Sequence, residues 1–255
     1  MSGHYFEFRN VWKSFEENEV LKDVSFFIDQ GETGVIMGRS GVGKSVSLKL
    51  LLGFLEPDRG RIIVAGQDVS GWTEKQFSEI RRQATMVFQS GALFDSLTAA
   101  ENVAFPLTSR GGHLDFNAID RRVTELLEML EVSQFADHLP ADLSTGTKRA
   151  VAIARALADD PDAILYDEPT TMVDPLMAAH ISDLIVRLKE KFHKTSIVVT
   201  HDTHLAKKLA DRLIFLHEGR VAFFGTWEDF ESSKDRFLQN FRLQDELVPA
   251  LDATV

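Results

Sequence analysis

The sequence predicts an α/β fold with a parallel sheet at its centre. Three observations carry that expectation. A glycine-rich stretch, Gly38-Arg39-Ser40-Gly41-Val42-Gly43-Lys44-Ser45, sits between the apolar run GVIM and a segment of helical periodicity. Two further runs, AILY before Asp167 and SIVVT before His201, are apolar without alternation. Helical segments bound both, the pattern of strands buried on both faces of a parallel sheet, where neither face meets water.

The elements follow in order. Residues 5–36 are strand-rich, with YFEFRNV, VLKDVSFFI and GVIM. A helix begins at about Lys44, RIIVAGQDV reads as a hairpin and ATMVFQ as a strand. From Gly91 to about Ala158 the spacing turns helical, through ENVAFPL, RRVTELLEML and KRAVAIARALA. AILY and SIVVT supply two more strands, and RLIFLHEGRVAFFG closes as a hairpin about Glu218-Gly219. In the tail from Glu231 to Val255, Phe237, Leu238 and Phe241 mark one face of a short helix; a frayed acidic end is the competing expectation. There is no internal repeat, low-complexity tract or obvious flexible linker.

Composition excludes several classes. The 255 residues allow one or two domains and an ample core. A net charge of −11 argues against a nucleic-acid partner and against electrostatic docking on anionic lipid, both of which need a basic footprint. The absence of cysteine excludes disulfides, thiolate catalysis and Cys-ligated metals. No stretch approaches the roughly 20 apolar residues that cross a bilayer. The most apolar run, LKLLLGFL, is short, contains lysine and ends near Pro57. The first residues lack the basic-then-apolar order of a signal peptide. A cytoplasmic location is expected, compatible with a peripheral partner in a membrane.

The chemistry begins at the glycine-rich stretch, which matches a phosphate-binding loop with its strand before and helix after. Glycines let backbone N–H groups converge on a phosphate, and the helix adds its positive end. Lys44 would supply a point charge to the β- and γ-phosphates, and Ser45 a hydroxyl to Mg²⁺. The run AILY delivers Asp167 and Glu168 at a strand's C-terminal end, where open α/β sheets bind ligands. Asp167 would hold Mg²⁺, and Glu168 would orient the attacking water. Gln89 and His201 also end apolar strands and point to the same crevice, where His201 would contact the γ-phosphate. His201 and His204 have helical ligand spacing, but no further ligands gather near them, so histidine metal binding is not expected. Ser144 precedes a helical pattern as an N-cap, which leaves Thr145 and Gly146 in the first turn.

Taken in order, the phosphate loop, Gln89, LSTG, ILYDEP, MVDP and TH resemble the nucleotide-binding subunit of ABC transporters, from about Phe6 to Phe230. The resemblance implies a RecA-like P-loop NTPase core with a β-subdomain over residues 1–90 and 159–230. It also implies an inserted α-helical subdomain over 91–158 and a tail over 231–255. ATP and Mg²⁺ are the implied cofactors, with Ser45, Gln89 and Asp167 as the Mg²⁺ ligands and the nucleotide-binding stretch running from Gly38 to Val46. A homodimer is implied, each ATP lying between one subunit's phosphate loop and the other's LSTG helix. Ser144 and Gly146 would then approach the γ-phosphate, and Asp174 would stand at the dimer interface. An aromatic residue near the N-terminus would stack on adenine, with Phe15 best placed and Trp12 next.

Two departures stand out. The signature reads LSTGT where the family usually has LSGGQ. Ser144 and Gly146 are retained, so a working site is expected, with Thr145 crowding the interface. MVDP replaces the common A-L-D and keeps Asp174. Within the family, GRSGVGKSVSLKLLLGFLEPDRGRI and VFQSGALFDSLTAAENVAFPL look like the ATPases of Mla/Mce-type lipid transporters, in which Val, as at Val46, commonly follows the loop. That likeness implies an integral-membrane permease docking near Gly91–Asp95 and, through it, a periplasmic lipid-binding subunit. It also implies phospholipid movement between inner and outer membranes, driven from the cytoplasmic face of the inner membrane. The competing expectations are a soluble ABC ATPase without a permease, a subunit serving another cargo, and a non-catalytic ATP-binding regulator. Thr145 alone supports the last.

Overall fold

The computed structural model describes residues 3–109 and 115–247. β1 (Phe6–Phe15) and β2 (Asn18–Ile28) form an antiparallel hairpin. Phe6, Phe8 and Val11 face inward from β1, with Leu21, Val24, Phe26 and Ile28 from β2. β3 (Thr33–Met37) leads to α1 (Lys44–Leu51), and β4 (Arg59–Val64) then returns to pair with β1. β5 (Gln67–Asp68) completes an antiparallel sheet in the order β2-β1-β4-β5.

α2 (Glu74–Gln83) was not expected from the apolar pattern, because Phe77 and Ile80 are its only buried residues. Its start is written in a reciprocal cap between Thr73 and Gln76. Phe77 lies so close to Gly53 that a Cβ there would sit 2.3 Å from its ring, which makes Gly53 obligatory.

The second sheet has the order β10-β9-β3-β8-β7-β6. It contains β6 (Ala84–Val87), β7 (Ala163–Asp167), β8 (Thr195–Val199), β9 (Arg212–His217) and the antiparallel edge β10 (Arg220–Gly225). β9, β3, β8, β7 and β6 run parallel. Every residue of β3, β7 and β8 is buried, as the unbroken apolar runs predicted. Parallel strands end on one rim, so the loop after β3, the carboxylates after β7, the histidine after β8 and the glutamine after β6 share an edge. β6 itself stops at Val87, two residues short of Gln89.

Between β6 and β7 come α3 (Ala99–Ser109), α4 (Phe116–Met129) and α5 (Thr145–Leu157). They pack through Val103, Val123, Leu126, Val151 and Ile153. α6 (Pro175–Phe192) and α7 (Thr203–Leu209) connect the remaining parallel strands. After α8 (Trp227–Ser232), the tail forms α9 (Arg236–Leu247). The expected apolar face is present and is used within the chain: Leu238 is buried, and Phe237 and Phe241 meet Phe215 of β9 edge-on. Arg242 donates to the carbonyls of Phe230, Glu231 and Ser233, which ties α9 to the end of α8. Residues 248–255 of the tail lie outside the described residues. Among the described residues, no helix is long and apolar enough to cross a membrane.

Candidate active site

The phosphate loop leaves β3 at Gly38, whose φ is +147°, and a Cβ there would lie 2.4 Å from the Leu216 carbonyl of β9. Only glycine brings the chain this close to its neighbour. Gly43, at φ +104°, is the left-handed residue before α1, and no side chain caps that helix. Its first turn therefore offers N–H groups without a side-chain acceptor, as an anion site requires. Lys44 is buried and donates to the carbonyls of Gly38 at 2.9 Å and Arg39 at 3.2 Å, with Glu168 Oε1 3.3 Å away.

Asp167, the last residue of β7, is buried and accepts the Ser45 hydroxyl at 2.6 Å. Burial raises its carboxyl above the usual aspartate range, although the Ser45 bond pulls the other way. A buried carboxylate beside a hydroxyl is a hard-oxygen pair that a cation would relieve, and it suits Mg²⁺.

Glu168 adopts a left-handed backbone, φ +47°, rare for a residue with a side chain. The surroundings hold it there. Its N–H donates to the Val199 carbonyl at 2.9 Å. Its Oε2 pairs with His201 Nδ1 at 2.8 Å and accepts the Thr171 hydroxyl at 2.9 Å. Backbone strain fixed by surrounding bonds is a mark of functional sites. Burial would raise the Glu168 carboxyl, but the His201 bond and the Lys44 charge outweigh it and hold it below the ordinary range. The same bond raises His201 above the ordinary histidine value, against its partial burial.

Lys44, Ser45, Glu168 and His201 open on a cleft of about 600 Å³, with Asp167 set behind Ser45 and off its wall. Phe15, Arg39, Ser40, Gly41, Gly43, Lys44, Ser45, Val46, Gln89, Glu168, Thr171 and His201 line it. Phe15 lies on the wall and is 41% exposed, whereas Trp12 lies outside with the Arg220 guanidinium over its ring. Gln89 is exposed in the turn beyond β6. Gly38 and Val42 shape the loop without lining the cleft, the Val42 side chain joining the core.

Ser144, Gly146 and Asp174 are not on the cleft wall. Ser144 caps α5, accepting from the Thr147 N–H at 3.1 Å, and its hydroxyl pairs with that of Thr147 at 2.8 Å. Thr145 has no positive φ and is exposed, so its side chain meets no neighbour that would forbid it. Gly146 is buried, and a Cβ there would lie 2.1 Å from Met177 Cγ. Asp174 caps α6, accepting from the Met177 N–H at 3.0 Å. The signature and Asp174 thus meet through Met177, and beside them Met172 and Leu176 are more than 80% exposed.

Two residues of this site went unread in the sequence. Thr171 is one turn past Glu168, and a hydroxyl three residues after a strand-end carboxylate was the available signal. Arg149 is 2% exposed and lies on the apolar face of α5. A lone arginine on that face could have been flagged. It donates to the carbonyls of Phe88 at 2.9 Å and Thr171 at 3.3 Å. Arg155, two turns on, donates to those of Ala92 at 2.8 Å and Gly91 at 3.1 Å. Together they clamp the Gln89 loop to α5.

The profile of the ABC transporter family matches residues 21–171. The chain belongs to the ABC transporter family. It is 37% identical, over 92% of its own length and 89% of the relative's, to the intermembrane phospholipid transport system ATP-binding protein MlaF of Haemophilus influenzae. It is 36% identical to the methionine import ATP-binding protein MetN 1 of Staphylococcus aureus, over 92% of this chain and 70% of that one. The dimeric ATP-binding cassette MJ0796, solved in a post-hydrolysis state with ADP and Pi, superposes with a TM-score of 0.80. That match has 35% identity and covers 87% of this chain and 98% of that one. The fold is the ABC cassette fold, and the chain is an ATP-binding, ATP-hydrolysing subunit of the kind that serves transporters.

Proposed function

We propose that this chain is the motor of a transporter that moves phospholipid between membranes, working as a homodimer on the cytoplasmic face of its permease. The observation that carries the hydrolytic part is Glu168, held in a strained backbone by His201, Thr171 and Lys44 at the wall of the cleft. Adenine stacks on Phe15, and the phosphates lie along Gly38–Val46. Lys44 exchanges its carbonyl partners for the β- and γ-phosphates. Ser45, Asp167 and Gln89 hold Mg²⁺, which neutralises phosphate charge when bound. Glu168 orients water for in-line attack, and His201 fixes Glu168 and the γ-phosphate relative to each other. The partner copy presents its Ser144 hydroxyl and Gly146 backbone across the interface, where Asp174, Met172 and Leu176 meet it.

A second cavity of about 390 Å³ supports a permease. Phe54, Phe88, Phe94 and Phe105 line it, with Arg81 and Arg155 at its edges. Three of these rings are over a third exposed, which is unusual outside an interface. The groove borders the Gln89 turn and includes Phe94 of the Gly91–Asp95 segment, so a permease helix seated there feels nucleotide state through α5. Phospholipid as cargo rests on the identity with the Haemophilus protein. The similar identity with the methionine importer subunit supports a second reading, an importer of a small polar solute.

Two measurements test this. Glu168→Gln should abolish turnover of Mg·ATP while retaining bound ATP; turnover at the parent rate would remove Glu168 from its role. The same variant, tagged and recovered from mildly solubilised membranes with ATP and Mg²⁺, should bring down a multi-span permease with a lipid-binding periplasmic subunit. A solute permease would favour the second reading, and recovery without any membrane partner would overturn the transport assignment.

A further inference from the structure

Arg149 lies on the helix that begins with Ser144 and Gly146, the residues read as facing the partner copy's nucleotide. Its guanidinium is nevertheless turned inward, 2% exposed, onto two carbonyls of its own subunit. One belongs to Phe88, the residue before Gln89. The other belongs to Thr171, whose hydroxyl donates to Glu168 Oε2. No carboxylate accepts a hydrogen bond from this guanidinium among the described hydrogen bonds and ion pairs, and the Asp167 charge only partly offsets its burial. Keeping a charged fork buried against neutral carbonyls is costly, because each such donor must be satisfied without water. The arrangement therefore asks what the fork holds in place.

It holds a strained turn. Glu168 has φ +47° and Met172 has φ +63°, so two left-handed residues bracket Thr171. Such conformations persist only where surrounding contacts over-determine them. Thr171 is fixed at both ends: its carbonyl is held by α5, and its hydroxyl is fixed to the glutamate. Oε2 of Glu168 is thereby shared between Thr171 and His201, and Oε1 is left to Lys44.

We propose that Thr171 is a positioning residue for Glu168 and that Arg149 anchors it to the signature helix, so that the helix serving one nucleotide sets the geometry of the glutamate serving the other. This inference rests on the reading of Glu168 and the dimer given above. An inward shift of α5 when the partner's nucleotide arrives then reaches Glu168 through three bonded groups. The Phe88 carbonyl carries the same shift to the Gln89 turn.

The test is steady-state ATP hydrolysis by the full chain. Thr171→Val replaces the hydroxyl by a methyl at nearly constant volume; it should lower kcat about tenfold with KM for ATP within about twofold, the scale of one hydrogen bond to a charged group. Thr171→Ser should restore kcat to within about twofold of the parent. Arg149→Lys keeps the charge and loses the fork. It should lower kcat about threefold, and in combination with Thr171→Val should lose less than the product of the two losses, since the path through Thr171 is shared while that through Phe88 is not. The proposal is overturned if Thr171→Val keeps the parent kcat, if Thr171→Ser falls as far as Thr171→Val, or if the two losses multiply. Binding of a fluorescent ATP analogue and the unfolding temperature, both near the parent values in Thr171→Val, exclude a misfolded variant. A Glu168→Gln control that turned over normally would instead remove the underlying reading, leaving the two failures distinct.

Discussion

α1 and α5 both bring an N-terminus to a place where a phosphate is expected, yet they are finished in opposite ways. α1 starts after a left-handed glycine and has no side-chain cap. α5 starts after Ser144, which accepts from the Thr147 N–H and pairs with the Thr147 hydroxyl. The first end leaves its donors for a ligand, and binding completes the helix. The second is already complete, so its serine must share or exchange a bond when a phosphate arrives. An uncapped end is a permanent seat, and a self-capped end is a reversible contact. In the proposed dimer, this difference would let one subunit hold nucleotide strongly in its own loop and lightly across the interface.

Substitutions can break the comparison at either end. The largest effect belongs to Gly43→Ala. It forces a side chain into φ +104° and within 2.5 Å of Leu21 Cδ2, so binding of a fluorescent ATP analogue should be lost. Next comes Ser144→Ala. Loss of the cap should cost about 1 kcal/mol in chemical denaturation, and turnover should fall more than tenfold while nucleotide binding by the isolated subunit is unchanged. Equal losses of binding and turnover would put Ser144 in the subunit's own site. Thr145→Gly should be smaller still, with turnover unchanged or mildly raised if crowding is its only effect, and a slightly lower unfolding temperature; a fall in turnover would show that Thr145 contributes to the interface.

The Glu168–His201 pair that faces Lys44 of α1 and the cap of α5 also differ in how they respond to pH. His201 is raised by its Glu168 bond, so its contribution to stability is complete below the ordinary histidine value of 6.5 and fades as pH rises through the shifted one. Glu168 is lowered, so its contribution is complete above the ordinary value of 4.5 and fades as pH falls. The unfolding-temperature gap between the parent and Glu168→Gln should therefore be widest between those values. The gap for Ser144→Ala should be flat across the same range, because neither capping hydroxyl titrates.

Legibility in the sequence followed the range of the interaction. The parallel strands were readable because AILY and SIVVT are buried on both faces and carry no alternation. The phosphate loop, Asp167, Glu168 and His201 were readable because each sits at a strand end that periodicity marks. α2 was missed because its helix rests on two apolar residues, and its signal lay in the Thr73–Gln76 cap instead. Arg149 and Thr171 were missed for a different reason. Their meeting depends on how α5 lies against the turn after β7, and no local pattern encodes that packing. The sequence ranked Phe15 ahead of Trp12, and the packed hairpin puts the first ring on the cleft wall and the second beneath Arg220.

The sheet order has a consequence for synthesis. β3, which carries the phosphate loop, is hydrogen-bonded on one side to β8 and on the other to β9. Thr33 meets Ser196, and Gly34 meets Arg212. On the ribosome, the loop's own strand stays unpaired until nearly the whole cassette has emerged, and such long-range pairing closes late. A nascent or prematurely ended chain carries a legible nucleotide motif but no seat for ATP. The seat for the phosphates is therefore completed only when β8 and β9 have closed on both sides of β3.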